Sequence, residues 1–217
     1  MTNNAFQQGT FNGFTVKGRC KISQHIFHKP ESKTWFSDSG HFMAVLDDPS
    51  LIDNDGKRIL DEKVPNLYID KQAAPVLYTI NSDHDGKITH AIDGAVLERN
   101  GVKVHKAEEI AITWNFLVSD HRPGFNDFAV WQIFKPDGAE IHRQILYQAV
   151  ENTFAWSTGW RCSKWRCQED AAITIRLTIA NGYQLAPGID EDHTTRKNAR
   201  RFPSGLLLDG IEILKGN

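Results

Sequence analysis

AITWNFLVSDHRPGFNDFAVWQIF, residues Ala111 to Phe134, is the stretch of sequence that decides the fold. In both halves the residues alternate with a period of two, and β-branched and aromatic side chains are frequent, as in strands with one or both faces buried. The segment between the halves, 119–127, is rich in turn-forming and hydrogen-bonding residues. The pattern predicts two strands that pair as a central hairpin, with their loop exposed at the rim.

Strand-like segments continue on both sides of this stretch. Ala172–Ala180 alternates most regularly, and Gly205–Leu214 forms the last such segment. Asn100-Gly101 predicts a hairpin turn, and Asn181-Gly182 predicts the end of a strand. The chain has roughly ten to twelve such segments and no convincing amphipathic helix, which predicts an all-β fold. The best single interpretation is a jelly-roll β-sandwich of two antiparallel sheets, in a single domain over residues 1–217.

Charge and composition exclude several classes of partner. The formal net charge is −2 and the pI is about 6.5, so we expect no nucleic acid as partner and no membrane insertion. The basic segment 196–201 follows an acidic one at 190–192, which indicates a solvated loop with compensated charge.

No cleavable signal is visible at the N-terminus, so the localisation stays open between the cytoplasm and export without such a signal. Three cysteines, Cys20, Cys162 and Cys167, leave one over in any disulfide scheme, and we expect reduced thiols.

Five segments in order resemble the jelly-roll modules of bacterial repeats-in-toxin-type adhesins and galactose-binding-like carbohydrate-binding modules. They are FQQGTFNGFTVKG (6–18), SDSGHFMAVLDD (37–48), FNDFAV (125–130), STGW (157–160) and SGLLLDGIEI (204–213). The resemblance implies a structural calcium ion, held at the positions of Gln8 and Asp209 with groups around Asp38. Gln8 supplies an amide where the family has a carboxylate, which removes one charge from that site.

Two further turns have sequences that are similar to calcium-binding loops. Asp53–Lys57 and Asp83–Lys87 have the Asp-Gly form of an EF-hand loop, but each lacks a ligand at a required position. Asp-Gly hairpin turns explain them better. His25 and His28 fall on opposite faces if their segment is a strand, so a shared metal ion is not expected.

Aromatic and polar residues together predict a sugar-binding site. A sugar presents an apolar C–H face and a ring of hydroxyl groups, so its sites combine a stacking aromatic side chain with fixed polar groups. The candidate ligand-binding residues are His121, Arg122, Phe125, Asn126, Asp127, Trp131, Trp156 and Trp35.

These observations favour a non-enzymatic, lectin-like or adhesin-like module whose partner is a glycan or cell-surface polysaccharide. The alternative is a structural or interaction subunit of a surface, phage-tail or toxin assembly, which would form a homo-oligomer. A polysaccharide-cleaving enzyme ranks third. Spacing in sequence does not identify its pair of carboxylates, and Asp120 and Asp127, which flank one loop, are the best available pair. No catalytic residue is assigned, because no nucleophile-elbow, zinc-protease, P-loop or dinucleotide-binding motif occurs.

Overall fold

The computed structural model describes residues 6, 8–50, 67–68, 79–81, 88–119, 127–148, 155–185 and 204–215. Every helix or strand among them is a β-strand, which confirms the predicted all-β class. No helix long and apolar enough to cross a membrane occurs in those ranges. The strands are β1 (Thr15–Lys17), β2 (Cys20–Ser23), β3 (His25–His28), β4 (Lys33–Phe36), β5 (Met43–Leu46), β6 (Leu67–Tyr68), β7 (Thr79–Asn81), β8 (Ile88–Val104), β9 (Glu109–Leu117), β10 (Phe128–Phe134), β11 (Glu140–Gln148), β12 (Arg161–Arg166), β13 (Ala171–Leu185) and β14 (Gly205–Leu214).

The strands form two large antiparallel sheets and one small one. Sheet A has the order β1-β8-β13-β10-β11, with β6 and β7 also paired to β8. Sheet B has the order β12-β9-β14-β5-β2, and β3 pairs with β4 in the small sheet C. Buried side chains from both large sheets belong to one apolar cluster, so the two sheets are the layers of a β-sandwich.

Strand pairing identifies the sandwich as a jelly roll. Among the eight strands β5 and β8 to β14, β5 pairs with β14, β8 with β13, β9 with β12, and β10 with β11. This nested pairing of eight strands over two sheets is the jelly-roll arrangement. The predicted fold is therefore confirmed by the strand order.

The core lies between sheets A and B and follows the alternation along the strands. Ala129, Trp131 and Ile133 of β10 belong to the same buried cluster as Ile112 and Phe116 of β9. Complete burial of an aliphatic or aromatic side chain stabilises a fold by about 1.5–3 kcal/mol. The segment Ala111–Phe134 therefore contributes buried side chains to the core from both sheets.

The predicted central hairpin is wrong, although both of its strands exist. β9 pairs with β12 and β14 in sheet B, whereas β10 pairs with β11 and β13 in sheet A. The connection between them therefore crosses from one sheet to the other. A tight turn would force β9 and β10 to pair, but the connection between them is longer than such a turn. Each of the two strands also has another partner on both of its edges.

Two predicted turns are β-bulges inside long strands. Gly101 has a φ of 67°, and β8 continues through Asn100 and Gly101 with a register shift opposite Thr174 of β13. Thr174 donates its hydroxyl to the Asn100 side-chain oxygen at 2.8 Å. A second shift lies at Asn181/Gly182, where β13 continues instead of ending. Gly101 has the left-handed backbone that a hairpin turn and a bulge both use, so Asn-Gly alone does not distinguish them.

Candidate functional site: an aromatic surface on sheet B

The outer face of sheet B carries a second apolar cluster, separate from the core. Met43, Val45, Leu117 and Leu207 are buried there, and they alternate along their strands with residues that face the core. The β3–β4 hairpin covers this face with Ile26, which is buried, and partly buried Trp35 and Trp160 pack against the same cluster.

Glu31 connects the hairpin to the segment 155–160. It lies between β3 and β4, where its Oε2 accepts a hydrogen bond from Trp35 Nε1 at 2.8 Å. Its Oε1 accepts a hydrogen bond from the Ser157 hydroxyl at 3.2 Å. The buried His28 ring places Nδ1 3.5 Å from Glu31 Oε2. Both carboxylate oxygens are therefore engaged by neighbouring side chains, and the carboxylate fixes the Trp35 indole.

Backbone hydrogen bonds hold the segment 155–160 beside the end of β9. Val118 N donates to Trp156 O at 2.8 Å, and Thr158 N donates to Phe116 O at 3.0 Å. The Thr158 hydroxyl accepts a hydrogen bond from Phe116 N at 3.0 Å. Trp160 Nε1 donates to Phe36 O at 3.2 Å, which ties the segment to the far end of β4. The segment and the hairpin therefore form one continuous structure.

The side chains that this structure presents to solvent are mostly aromatic. Phe36 is 63% exposed, Phe27 49% and Trp156 39%. The His25 ring lies 5.9 Å from the Phe36 ring, between centroids. Lys33 places Nζ 3.4 Å from the centroid of the Trp35 ring. We call the side chains of the hairpin and of the segment 155–160 the aromatic surface. On the hairpin, His25, Phe27 and Phe36 lie on the outer face, and Lys33 and Trp35 lie on the face toward sheet B. The segment contributes Trp156 and Trp160.

The structure brings two of the predicted ligand-binding residues together. Trp35 bonds to Glu31, which also bonds to Ser157, the neighbour of Trp156 in the chain. Phe27, Phe36 and Trp160, which complete the surface, were not predicted as ligand-binding residues. The signal that could have found Phe27 and Phe36 is alternation on both sides of Lys29–Lys33, which predicts a short hairpin with aromatic residues on its strands.

The other predicted ligand-binding residues are either buried or outside the described ranges. Trp131 has no exposed surface and packs in the core, so it offers no face for stacking. Asp127 is buried, and its Oδ1 accepts a hydrogen bond from Gly182 N at 3.1 Å, at the register shift between β13 and β8. Four of the predicted residues lie outside the described ranges: His121, Arg122, Phe125 and Asn126. Asp120, the suggested partner of Asp127 in catalysis, also lies outside them.

The residues predicted to hold calcium are exposed or have hydrogen-bond partners in the structure. Asp209 lies at a bulge of β14, where its Oδ2 accepts a hydrogen bond from Ser39 N at 2.9 Å and its Oδ1 accepts one from the Ser39 hydroxyl at 3.1 Å. Gln8 and Asp38 are exposed. Within the described ranges no three His, Cys, Asp or Glu residues are grouped as metal ligands are. Asp209 therefore holds the turn that contains Ser39, and calcium stays a prediction.

The other predictions concern two histidines, the cysteines and three loop segments. His25 is exposed and His28 is buried, as expected for residues on opposite faces of a strand. The three cysteines are free. The turns Asp53–Lys57 and Asp83–Lys87 and the basic segment 196–201 lie outside the described ranges.

Comparison with known proteins finds similarity in structure only. Neither a protein-family description nor a curated protein matches the sequence. Similar solved structures include TmCBM61 in complex with β-1,4-galactotriose, at 11% identity and a TM-score of 0.45, covering 99% of this chain and 97% of that one. The K1 cleaved adhesin domain of Lys-gingipain from Porphyromonas gingivalis is 6% identical, with a TM-score of 0.43 and coverage of 100% and 98%. The CBM22-1 xylan-binding domain of Xyn10C from Paenibacillus barcinonensis is 11% identical, with a TM-score of 0.38 and coverage of 100% and 95%.

Two of these structures are of carbohydrate-binding modules or domains, and one is of an adhesin domain. The identities and TM-scores are too low to support an argument about ligands, and the assignment of the jelly roll rests on the strand order of this chain.

Proposed function

We propose that this chain is a non-enzymatic carbohydrate-binding module whose glycan lies on the aromatic surface. The observation that carries the proposal is the exposure of Phe27, Phe36 and Trp156 on the hairpin and segment whose other tryptophans, Trp35 and Trp160, are held by hydrogen bonds. An exposed aromatic ring stacks on the C–H face of a sugar, and neighbouring polar groups bind its hydroxyls.

Rigidity makes these aromatic groups suitable for binding. The indole N–H groups of Trp35 and Trp160 are both engaged, one by Glu31 and the other by Phe36 O. Rings that are already held in place lose little conformational entropy when a ligand binds, so more of the contact energy is retained as affinity. Each aromatic contact contributes about 0.5–1.5 kcal/mol beyond the area that it buries.

The non-enzymatic part of the proposal rests on Glu31. Glycoside hydrolysis requires two carboxyl groups that flank the scissile bond, one of them able to deliver a proton. Glu31 is the carboxylate joined to the aromatic surface by hydrogen bonds, and both of its oxygens already accept them from Trp35 and Ser157. Its role in the described structure is to position aromatic side chains.

A second candidate function is that of a subunit that assembles through the hairpin. Phe27 and Phe36 are large apolar side chains on the outside of the hairpin, and such residues also form interfaces between chains. Light scattering of the purified protein, with and without glycan, distinguishes the two functions. A stable oligomer without any response to glycan favours assembly.

Titration of the protein with a panel of neutral and acidic oligosaccharides tests the proposal, with binding measured by calorimetry. We expect at least one member to bind, and we expect Trp156→Ala and Phe36→Ala each to weaken that binding about 3- to 10-fold. Ile145→Ala is the matched control, because Ile145 is also exposed but lies on β11 of sheet A. Equal losses in all three variants, or no binding to any member, would overturn the proposal.

A further inference from the structure

The outer face of the β3–β4 hairpin carries two exposed phenyl rings at diagonal positions. His25 pairs with Phe36, and Phe27 pairs with Thr34. Side chains directly opposite on two paired strands share a face, and His25 and Phe27 flank the buried Ile26, so the four lie on the outer face together. Phe36 is 63% exposed and Phe27 49%. Diagonal neighbours on an antiparallel pair lie about 7–8 Å apart, so the two rings can contact separate sugar rings of one ligand.

The charged side chains of the hairpin lie on the other side. Lys33 pairs with the buried His28, so it lies on the side of Trp35, toward sheet B. The Glu31 carboxylate accepts a hydrogen bond from the Trp35 indole and brings a negative charge to that same side. The outward-facing residues of the two strands are His25, Phe27, Thr34 and Phe36. With His25 neutral, none of these four carries a formal charge.

We propose that the ligand of this outer face is an uncharged, linear glycan that places two successive sugar rings on Phe27 and Phe36. This inference rests on the proposed function and specifies its ligand. A carboxylate or sulfate group on this face would lose part of its hydration without gaining a cationic partner, so charge on the glycan opposes binding. A sugar hydroxyl group loses less, and the His25 ring and the Thr34 hydroxyl offer it donors and acceptors.

The arrangement of the two phenyl rings sets a condition on the glycan. Both rings lie on one side of a two-stranded ribbon, so the ligand has to present the C–H faces of two successive sugars to that side. The His25 ring, 5.9 Å from the Phe36 ring between centroids, widens the contact area for one of these sugars. Since a monosaccharide covers one phenyl ring and a disaccharide covers both, affinity should rise when the second sugar is added.

A series of defined sugars tests this inference. The probes are chains of one to four β-1,4-linked glucose, galactose, mannose or xylose residues, together with oligogalacturonate as the free acid and as its methyl ester. Binding is measured by calorimetry and, for weak binders, by competition. We expect the tightest binder to be uncharged, with an affinity that does not depend on salt. Its disaccharide should bind about 3- to 10-fold more tightly than its monosaccharide.

Phe27→Ala should remove this gain from the second sugar, because one of the two phenyl rings is lost. Ile145→Ala, at an exposed apolar position on sheet A, should leave the gain unchanged. Melting curves of both variants check that the fold is intact.

The outcomes separate this inference from the function on which it rests. A tightest binder that carries carboxylates, or an affinity that falls with salt, would overturn the uncharged ligand and leave carbohydrate binding in place. No gain from monosaccharide to disaccharide, or the same gain in Phe27→Ala and wild type, would overturn the two sugar positions in the same way. Failure of this series and of the wider panel to bind would overturn the proposed function itself.

Discussion

Trp35 donates its indole N–H to Glu31 at 2.8 Å, and this bond connects the second strand of the β3–β4 hairpin to the loop that precedes it. Through its other oxygen, Glu31 also accepts a hydrogen bond from Ser157. One carboxylate therefore joins the hairpin, its loop and the segment that leads into β12. The order of the aromatic surface depends on this carboxylate more than on any contact between the rings themselves.

Glu31→Gln should destabilise the protein by about 1–2 kcal/mol, because hydrogen bonds to a charged acceptor are stronger than those to a neutral one. An amide can also accept only through its oxygen, so one of the two donors, Trp35 or Ser157, is left without its partner. Denaturant unfolding measures the loss. Glu212→Gln is the control, since Glu212 lies on β14 away from the hairpin. Equal stability of the two variants would show that Glu31 does not join these segments.

Asp209→Ala should lower the free energy of unfolding by about 2 kcal/mol, because the Ser39 amide and hydroxyl both lose a charged acceptor. The loss should be the same in excess calcium and in excess chelator. Thermal unfolding of wild type and variant under both conditions measures it. Stabilisation of the wild type by calcium, with none in the variant, would instead show that Asp209 holds a cation.

Trp131→Ala should destabilise the protein by about 3–5 kcal/mol, since Trp131 is fully buried between the sheets and its removal leaves a cavity. Trp131→Phe fills most of that space and should leave glycan affinity unchanged. Unfolding curves and calorimetric titration of the Phe variant check both statements. A loss of affinity in a stable Trp131→Phe protein would place the ligand somewhere other than the aromatic surface.

The three cysteines should react with a thiol reagent at different rates. Burial, and then the charge of Asp47, raise the pKa of the Cys20 thiol to about 12, and only the thiolate is a strong nucleophile. Cys162 is exposed, and Cys167 is buried with its Sγ 2.9 Å from Glu169 O. At pH 8 we expect one rapid modification, at Cys162, located by peptide mass spectrometry. Rapid modification of Cys20 in the native protein would contradict the raised pKa of its thiol.

The fold was predictable because alternation is a local property of the chain. The segments around Trp114 and Trp131 alternate strongly enough to identify two strands, and both are present as β9 and β10. Which strand pairs with which is decided by contacts distant in sequence. For that reason the sequence supported a hairpin where the chain in fact crosses between sheets, so that β9 pairs with β14 and β10 with β13.

The candidate site was predictable in part, for a related reason. Composition identifies tryptophans, but their exposure depends on what the rest of the fold places over them. Trp131 is buried and Trp156 is exposed, although both were predicted as ligand-binding residues. Glu31 was not predicted as a site residue, because its importance comes from Ser157, a residue that the fold brings to it from far along the chain.

The most direct test of carbohydrate binding at the aromatic surface is a proton–nitrogen spectrum of the six tryptophan indoles during titration with the tightest-binding glycan. Single Trp→Phe variants assign the signals. We predict that the indole signals of Trp35, Trp156 and Trp160 shift, while those of Trp114 and Trp131, which are buried between the sheets, do not. Shifts confined to Trp114, Trp131 or Trp165, or no shift at saturating glycan, would contradict the account.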